Sequence, residues 1–128
     1  MSDTCRDTIL SLLNAAGQGH IDIIRQLVRD GIDVNAAGKH GTTALMLAAE
    51  YGQTDVVLAL LAAGAEVNQT NQHGYTALMF AAEYGHDEIV SQLLAHAADC
   101  NQSNNKGFTA LMLAEAFQHP KSIKLLST

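Results

Sequence analysis

The chain has 128 residues, enough for one domain around one core, and 48% of them are apolar, which argues for a folded chain rather than a disordered one. The formal charge is −6, and it is placed unevenly: no Lys or Arg falls between Lys39 and Lys106, while Glu50, Asp55, Glu66, Glu83, Asp87, Glu88 and Asp99 do. An acidic middle repels a phosphate backbone, which excludes nucleic acid as the expected partner, and no apolar run is long enough to span a membrane.

The opening segment, MSDTCRDTILSLLNAAG, sets Asp3 and Asp7 beside a single Arg6, and Ser11 and Asn14 interrupt its apolar residues. A secretory signal needs a positive start and an unbroken apolar stretch, so none is read here and the cytoplasm is the expected location. Next come Ile23, Ile24, Leu27 and Val28 at helical spacing, then Gly31 and the extended DVNAA. From that point the chain repeats itself. GTTALMLAAEYG at 41–52 returns as GYTALMFAAEYG at 74–85 and, altered at its end, as GFTALMLAEAFQ at 107–118. The period is 33 residues without a gap. Gly41, Gly74 and Gly107 share a slot, as do Thr43, Thr76 and Thr109, then Asn35, Asn68 and Asn101. Gly31 and Gly64 share another, which Ala97 fills in the third copy.

Each copy predicts two short helices. The first begins at the TALM block, with the preceding Thr as its cap, and ends at the glycine after Tyr51 or Tyr84. The second carries Val56, Val57, Leu60 and Leu61 in one copy and Ile89, Val90, Leu93 and Leu94 in the next. Gly and Asn then mark a turn, and an extended segment such as AEVNQTNQHGY leads to the next copy. A unit this small cannot bury its own apolar face, so neighbouring copies must stack.

The 33-residue helix–turn–helix period, the GxTALMxAAEYG block, DVNAA and GAEVN together resemble ankyrin repeats over nearly the whole chain. The resemblance implies an all-α solenoid of helix-turn-helix units joined by finger loops. Four repeats are expected, at 1–37, 38–70, 71–103 and 104–128, the outer two acting as caps. The family usually writes T-P-L-H where this chain writes T-A-L-M, so Met46, Met79 and Met112 are expected to form an apolar strip between inner helices. At the first cap, Asn14 stands where later copies have Leu47, Phe80 and Leu113, and Thr8 takes the glycine slot. At the last, Glu115 replaces Ala49 and Ala82, Ser122 replaces Val56, Ser127 replaces Leu61, and Pro120 opens the final helix. These polar residues are expected to face away from the stack and to close it.

Candidates for chemistry are few. His40 and His73 recur at the finger tips, but successive layers lie roughly 8–10 Å apart, too far for two ligands about 2.1 Å from one zinc ion. HDEIV at 86–90 lacks the second His of HExxH, AAGKHGTT at 36–43 lacks P-loop spacing, and there is no G-x-S-x-G. No cofactor and no catalysis are expected. His20, His86 and His119 share a slot at the start of the second helix, where a structural turn role is expected. Cys100 aligns with Val34 and Val67 and is expected to be a small buried hydrophobe. Cys5 belongs two layers away, beyond disulfide reach, and a chain without disulfides suits a reducing compartment.

The slots that vary between copies cluster at the finger tips and on one side of the first helix, the surface that is concave and partner-binding in the family. The second copy offers Lys39, His40, Thr42, Glu50 and Tyr51; the third, Gln72, His73, Tyr75, Glu83 and Tyr84; the fourth, Asn105, Lys106, Phe108, Ala116 and Phe117. Five of the six aromatic residues fall there, in two ladders: Tyr51, Tyr84 and Phe117, then Tyr75 and Phe108. Interfaces draw much of their energy from such anchors. Either the rings are exposed for a partner, with Tyr75 and Tyr84 weighing more than the terminal Phe117, or they stack on one another as cover. The expectation is a monomeric, non-enzymatic module that binds one protein partner on this aromatic and acidic face, with inhibition or regulation of an enzyme as its narrower form. The alternative is self-assembly through the same rings.

Overall fold

The computed structural model describes residues 2–127, with side chains described over 7–127; the expectation about the Cys5 side chain falls outside the described residues. Among them, eight α-helices follow one another as four hairpins. They are α1 (Ser2–Gln18) with α2 (Ile21–Arg29), α3 (Ala44–Tyr51) with α4 (Thr54–Ala62), α5 (Ala77–Glu83) with α6 (Asp87–Ala95), and α7 (Ala110–Ala116) with α8 (Pro120–Leu126). A single 3-10 turn lies at Lys39–Gly41, and an isolated bridge pairs Ser103 with Thr109. The odd-numbered helices stack into an inner layer and the even-numbered ones into an outer layer, giving the all-α repeat solenoid that the period predicts. No described helix is long and apolar enough to cross a membrane.

Small side chains let the inner helices approach closely. Ala44, Ala48, Ala49, Ala77, Ala81 and Ala82 are buried, and the inner layer is the more tightly packed. Each inner helix after the first starts on a threonine cap. Thr43, Thr76 and Thr109 accept from the backbone N–H of Met46, Met79 and Met112 at 3.2–3.3 Å. The first inner helix is different: α1 runs for 17 residues, against 8 for α3, because no finger turn interrupts it at Thr8.

The copies are sewn together by polar contacts at a fixed stride. Gln53 donates from Nε2 to the Gly17 carbonyl at 3.0 Å. His86 and His119 bring Nε2 to the Glu50 and Glu83 carbonyls at 3.0 and 2.7 Å. The histidine slot is therefore structural, as expected, and glutamine does the same work in the second copy. His20, for which no preceding copy is described, bonds Gln18 instead. Asn35 and Asn68 accept from the backbone N–H of Glu66 and Asp99 in the next copy at 2.6 and 2.7 Å. Successive finger tips are joined by Gln72 N–H to the His40 carbonyl and Asn105 N–H to the His73 carbonyl. At Gly41 and Gly74 both the positive φ and this close approach matter. A Cβ at Gly74 would lie 2.9 Å from the Asn105 backbone nitrogen.

Three expectations are corrected. Met46 and Met79 are buried between inner helices, but Met112 is 47% exposed, because its slot faces the following layer and no described helix covers α7 there. Ser122 does not face outward: it is fully buried, and its hydroxyl donates to Asp87 Oδ1 at 2.6 Å. Its slot faces the preceding outer helix, which is also why Ile23, with no outer helix described before its own, is exposed. Cys100 is exposed with a free thiol rather than buried. Val34 in the same slot is buried, so the slot does not carry its burial from copy to copy.

The glycine slot after the outer helices gives a clean test. Gly31, Gly64 and Ala97 take φ of 84°, 90° and 67°, and nothing lies within 4 Å of a Cβ built on Gly31 or Gly64. Alanine therefore fits at 97 but is held in a left-handed conformation that strains it. Ala97→Gly is expected to raise stability by about 0.5–1 kcal/mol, relief of strain outweighing the extra freedom of the unfolded chain. Gly64→Ala should do the reverse. Denaturation midpoints of the two variants decide it; unchanged midpoints would contradict the strain.

Candidate functional site

The variable slots land on two neighbouring strips. The finger residues Lys39, His40, Gln72, His73, Asn105, Lys106 and Phe108 are exposed, and Thr42 is half-buried. On the inner helices, Tyr51, Tyr84 and Phe117 come at the C-terminal ends of α3, α5 and α7 and are 59%, 48% and 54% exposed. Among the described residues these three rings do not contact one another; ring contacts join only Tyr75 to Phe80 and Tyr84 to His86. Tyr51 lies over the backbone of the preceding inner helix, about 3.7 Å from where a Cβ on Gly17 would be. The rings thus cover the stack at their edges while leaving roughly half their surface to solvent.

Tyr75 departs from expectation. It is half-buried rather than an exposed tip, with its ring 4.8 Å from that of Phe80 and its hydroxyl donating to Glu83 Oε1 at 2.6 Å. Burial and this bond to a carboxylate push its pKa up to about 12. Phe80 and Glu83, both on α5, hold the ring inward. Asn71 accepts from the backbone N–H of His73 and Tyr75 and so closes the finger turn that carries the ring.

Between the third and fourth fingers and helices α5 and α7 lies a groove of about 460 Å³. Eight of the sequence candidates line it, among them His73, Tyr75, Glu83, Asn105, Lys106, Phe108 and Phe117. Ala116 lines it too. Lys39, His40, Thr42, Glu50, Tyr51, Gln72 and Tyr84 lie outside it. Sequence reasoning missed Asn104 and Leu113 in the lining. Asn104 is buried and accepts from the N–H groups of Lys106 and Phe108, building the finger as Asn71 builds the one before. The signal was an asparagine three residues before Gly74 and again before Gly107.

Glu50 and Glu83 hold the groove side of the inner layer. Partial burial, then the neighbouring Glu83, raise the Glu50 pKa above the ordinary carboxylate value. Burial, then Glu83 and Glu50, raise that of Tyr84. Both carboxylates also stand in the last turn of their helices, where the macrodipole disfavours a negative charge. Below the ordinary carboxylate pKa, Glu50 is neutral folded or unfolded. As pH rises the unfolded chain releases its proton first, so the folded state loses stability through that window. Glu50→Gln is expected to stabilise the fold at pH 7 by a few tenths to about 1 kcal/mol, and the gain should vanish near pH 4. A variant no more stable than the parent at pH 7 would overturn the account.

A family model described as ankyrin repeats (three copies) matches residues 2–71 and again 63–128. A comparison with curated proteins returned no match. The period, the four helix hairpins and the double match agree: the chain belongs to the ankyrin-repeat family, whose members are in general non-enzymatic protein–protein interaction modules.

Proposed function

We propose that this chain binds one protein partner across the inner-helix and finger surface, with the groove between the third and fourth repeats as the centre of contact. The observation that carries this reading is the exposure of Tyr51, Tyr84, Phe108 and Phe117, of which Phe108 and Phe117 line that groove. A stack that needed these rings only as cover would have buried them, and large half-exposed rings on one face mark interaction surfaces. The repeats run 1–37, 38–70, 71–103 and 104–128, with polar residues such as Asn14 and Glu115 exposed on the terminal inner helices. The module works as a monomer in the cytoplasm, where the exposed thiol of Cys100 stays reduced. Its narrower role is to inhibit or regulate an enzyme by occupying it.

The test is affinity capture from the native host with the parent chain and with Phe108→Ala/Phe117→Ala, each checked for unchanged helicity. A protein retained by the parent and lost with the variant supports the reading. Retention by both moves the interface off this face. Sedimentation of the chain alone that shows mass growing with concentration would instead favour self-assembly.

A further inference from the structure

The seven carboxylates of the acidic middle do not have equal reasons to be there. Asp55, Asp87 and Glu88 lie in the first turns of α4 and α6, where the helix dipole favours them, and Asp87 also receives the Ser122 hydroxyl. Glu66 and Asp99 stand in the loops where asparagines join the copies. Glu50 and Glu83 are different. They oppose the dipoles of α3 and α5, they are half-buried, and they act on each other. Among the described residues no Lys, Arg or His side chain pairs with either. The Tyr75 hydroxyl takes one oxygen of Glu83 but brings no charge. Their slot is Gly17 in the first copy and Ala116 in the fourth, so the pair is confined to the two middle repeats. Carboxylates set against a helix dipole, with no opposite charge inside the fold to offset them, are expected where function requires them.

We propose that the segment received here is basic: a stretch of a protein partner carrying Arg or Lys among apolar side chains, its cation set against Glu83 and Glu50 and its apolar groups in the groove against Phe108 and Phe117. This rests on the reading of the face as a protein-binding surface. Charge complementarity selects the occupant. A cation entering here meets two carboxylates that have no opposite charge beside them, and the exposed rings of Tyr84 and Phe117, which attract it through their quadrupoles. Arginine suits the place better than lysine, because its planar group stacks on a ring while its N–H groups reach a carboxylate. Lys106 stands on the opposite, finger wall, so it repels the cation from that side and fixes which way the segment lies.

The probe is a random library of peptides about a dozen residues long, displayed and selected on the immobilised full chain. Selected peptides are then measured against the parent and Glu50→Gln/Glu83→Gln, in which the amide carbonyl introduced at position 83 still accepts from Tyr75. The expected result is enrichment of Arg or Lys beside apolar residues, with at least about tenfold weaker binding to the double variant and a loss of binding in high salt. Neutral or acidic peptides that still shift the NMR signals of Phe108 and Phe117 would overturn the charge proposal and leave the binding face intact. Selected peptides that shift signals elsewhere, or no selected peptide at all, would overturn both. A parent chain that dimerises, and stops dimerising in the double variant, would make a second copy the occupant and also overturn it.

Discussion

Leu60→Ala is expected to lower the stability of the whole chain by about 2–5 kcal/mol, and Leu126→Ala by clearly less. Both are core leucines of outer helices. Leu60 has no exposed surface, and α4 is packed between α2, α6 and its own inner helix α3. Truncation leaves a cavity that neighbours on three sides cannot close. Leu126 is 8% exposed at the last turn of α8, which among the described residues packs chiefly on α6 and α7. There the chain can settle into the space. In a solenoid, stability is close to a sum of repeat terms and nearest-neighbour interfaces, so position in the array decides the loss. With total stabilities of about 5–15 kcal/mol for ordinary domains, Leu60→Ala approaches unfolding. Urea curves on both variants decide it; equal losses would contradict nearest-neighbour stacking.

The array was legible in the sequence because its determinants are local and periodic. Thr43, Thr76 and Thr109 cap helices through a bond three residues long, and a gap-free period of 33 residues placed all three at once. What the period cannot show is which way a slot faces. Val56, Ile89 and Ser122 align perfectly, yet whether Ser122 looks forward to solvent or back to Asp87 depends on the stacking direction. Met112 and Ile23 are exposed for the same reason, at opposite ends of the stack. Cys100 shows a second limit. A slot inherits its burial from what packs over it, which its alignment with buried Val34 does not carry.

The candidate face was legible in part. Aromatic residues in variable slots identified Tyr51, Tyr84, Phe108 and Phe117, all of which present open ring surface. Tyr75 shares its slot with Phe108, but it has an acceptor, Glu83, eight residues on, and Phe80 beside it; in the fourth copy Ala116 and Leu113 stand in those places and offer neither. The difference lies in a side-chain pair rather than in a slot. The groove itself, and Asn104 in its wall, came from the fold of a finger against two helices, which spacing along the chain does not encode.

That distinction separates Tyr75 from the exposed rings experimentally. Phe117→Ala is expected to weaken partner binding by about 2 kcal/mol, or roughly thirtyfold, while leaving folding stability within about 0.5 kcal/mol of the parent. Its ring is more than half exposed and lines the groove, so what it gives up on truncation is contact with the partner. This raises Phe117 above the lesser weight that its terminal place in the sequence implied. Tyr84→Ala, beside Glu83 but outside the groove, is expected to cost affinity in the same direction without unfolding the chain. Tyr75→Ala should behave differently. It removes the ring packed on Phe80 and the donor to Glu83, so it should lower stability by about 1–3 kcal/mol and affinity with it. Tyr75→Phe keeps the ring and loses only the hydroxyl. It should recover most of the stability and leave Glu83 freer to receive a cation. Paired binding and denaturation curves on the four variants provide the check. If Phe117→Ala unfolds the chain and spares affinity, the exposed ladder is packing and the partner docks on another surface.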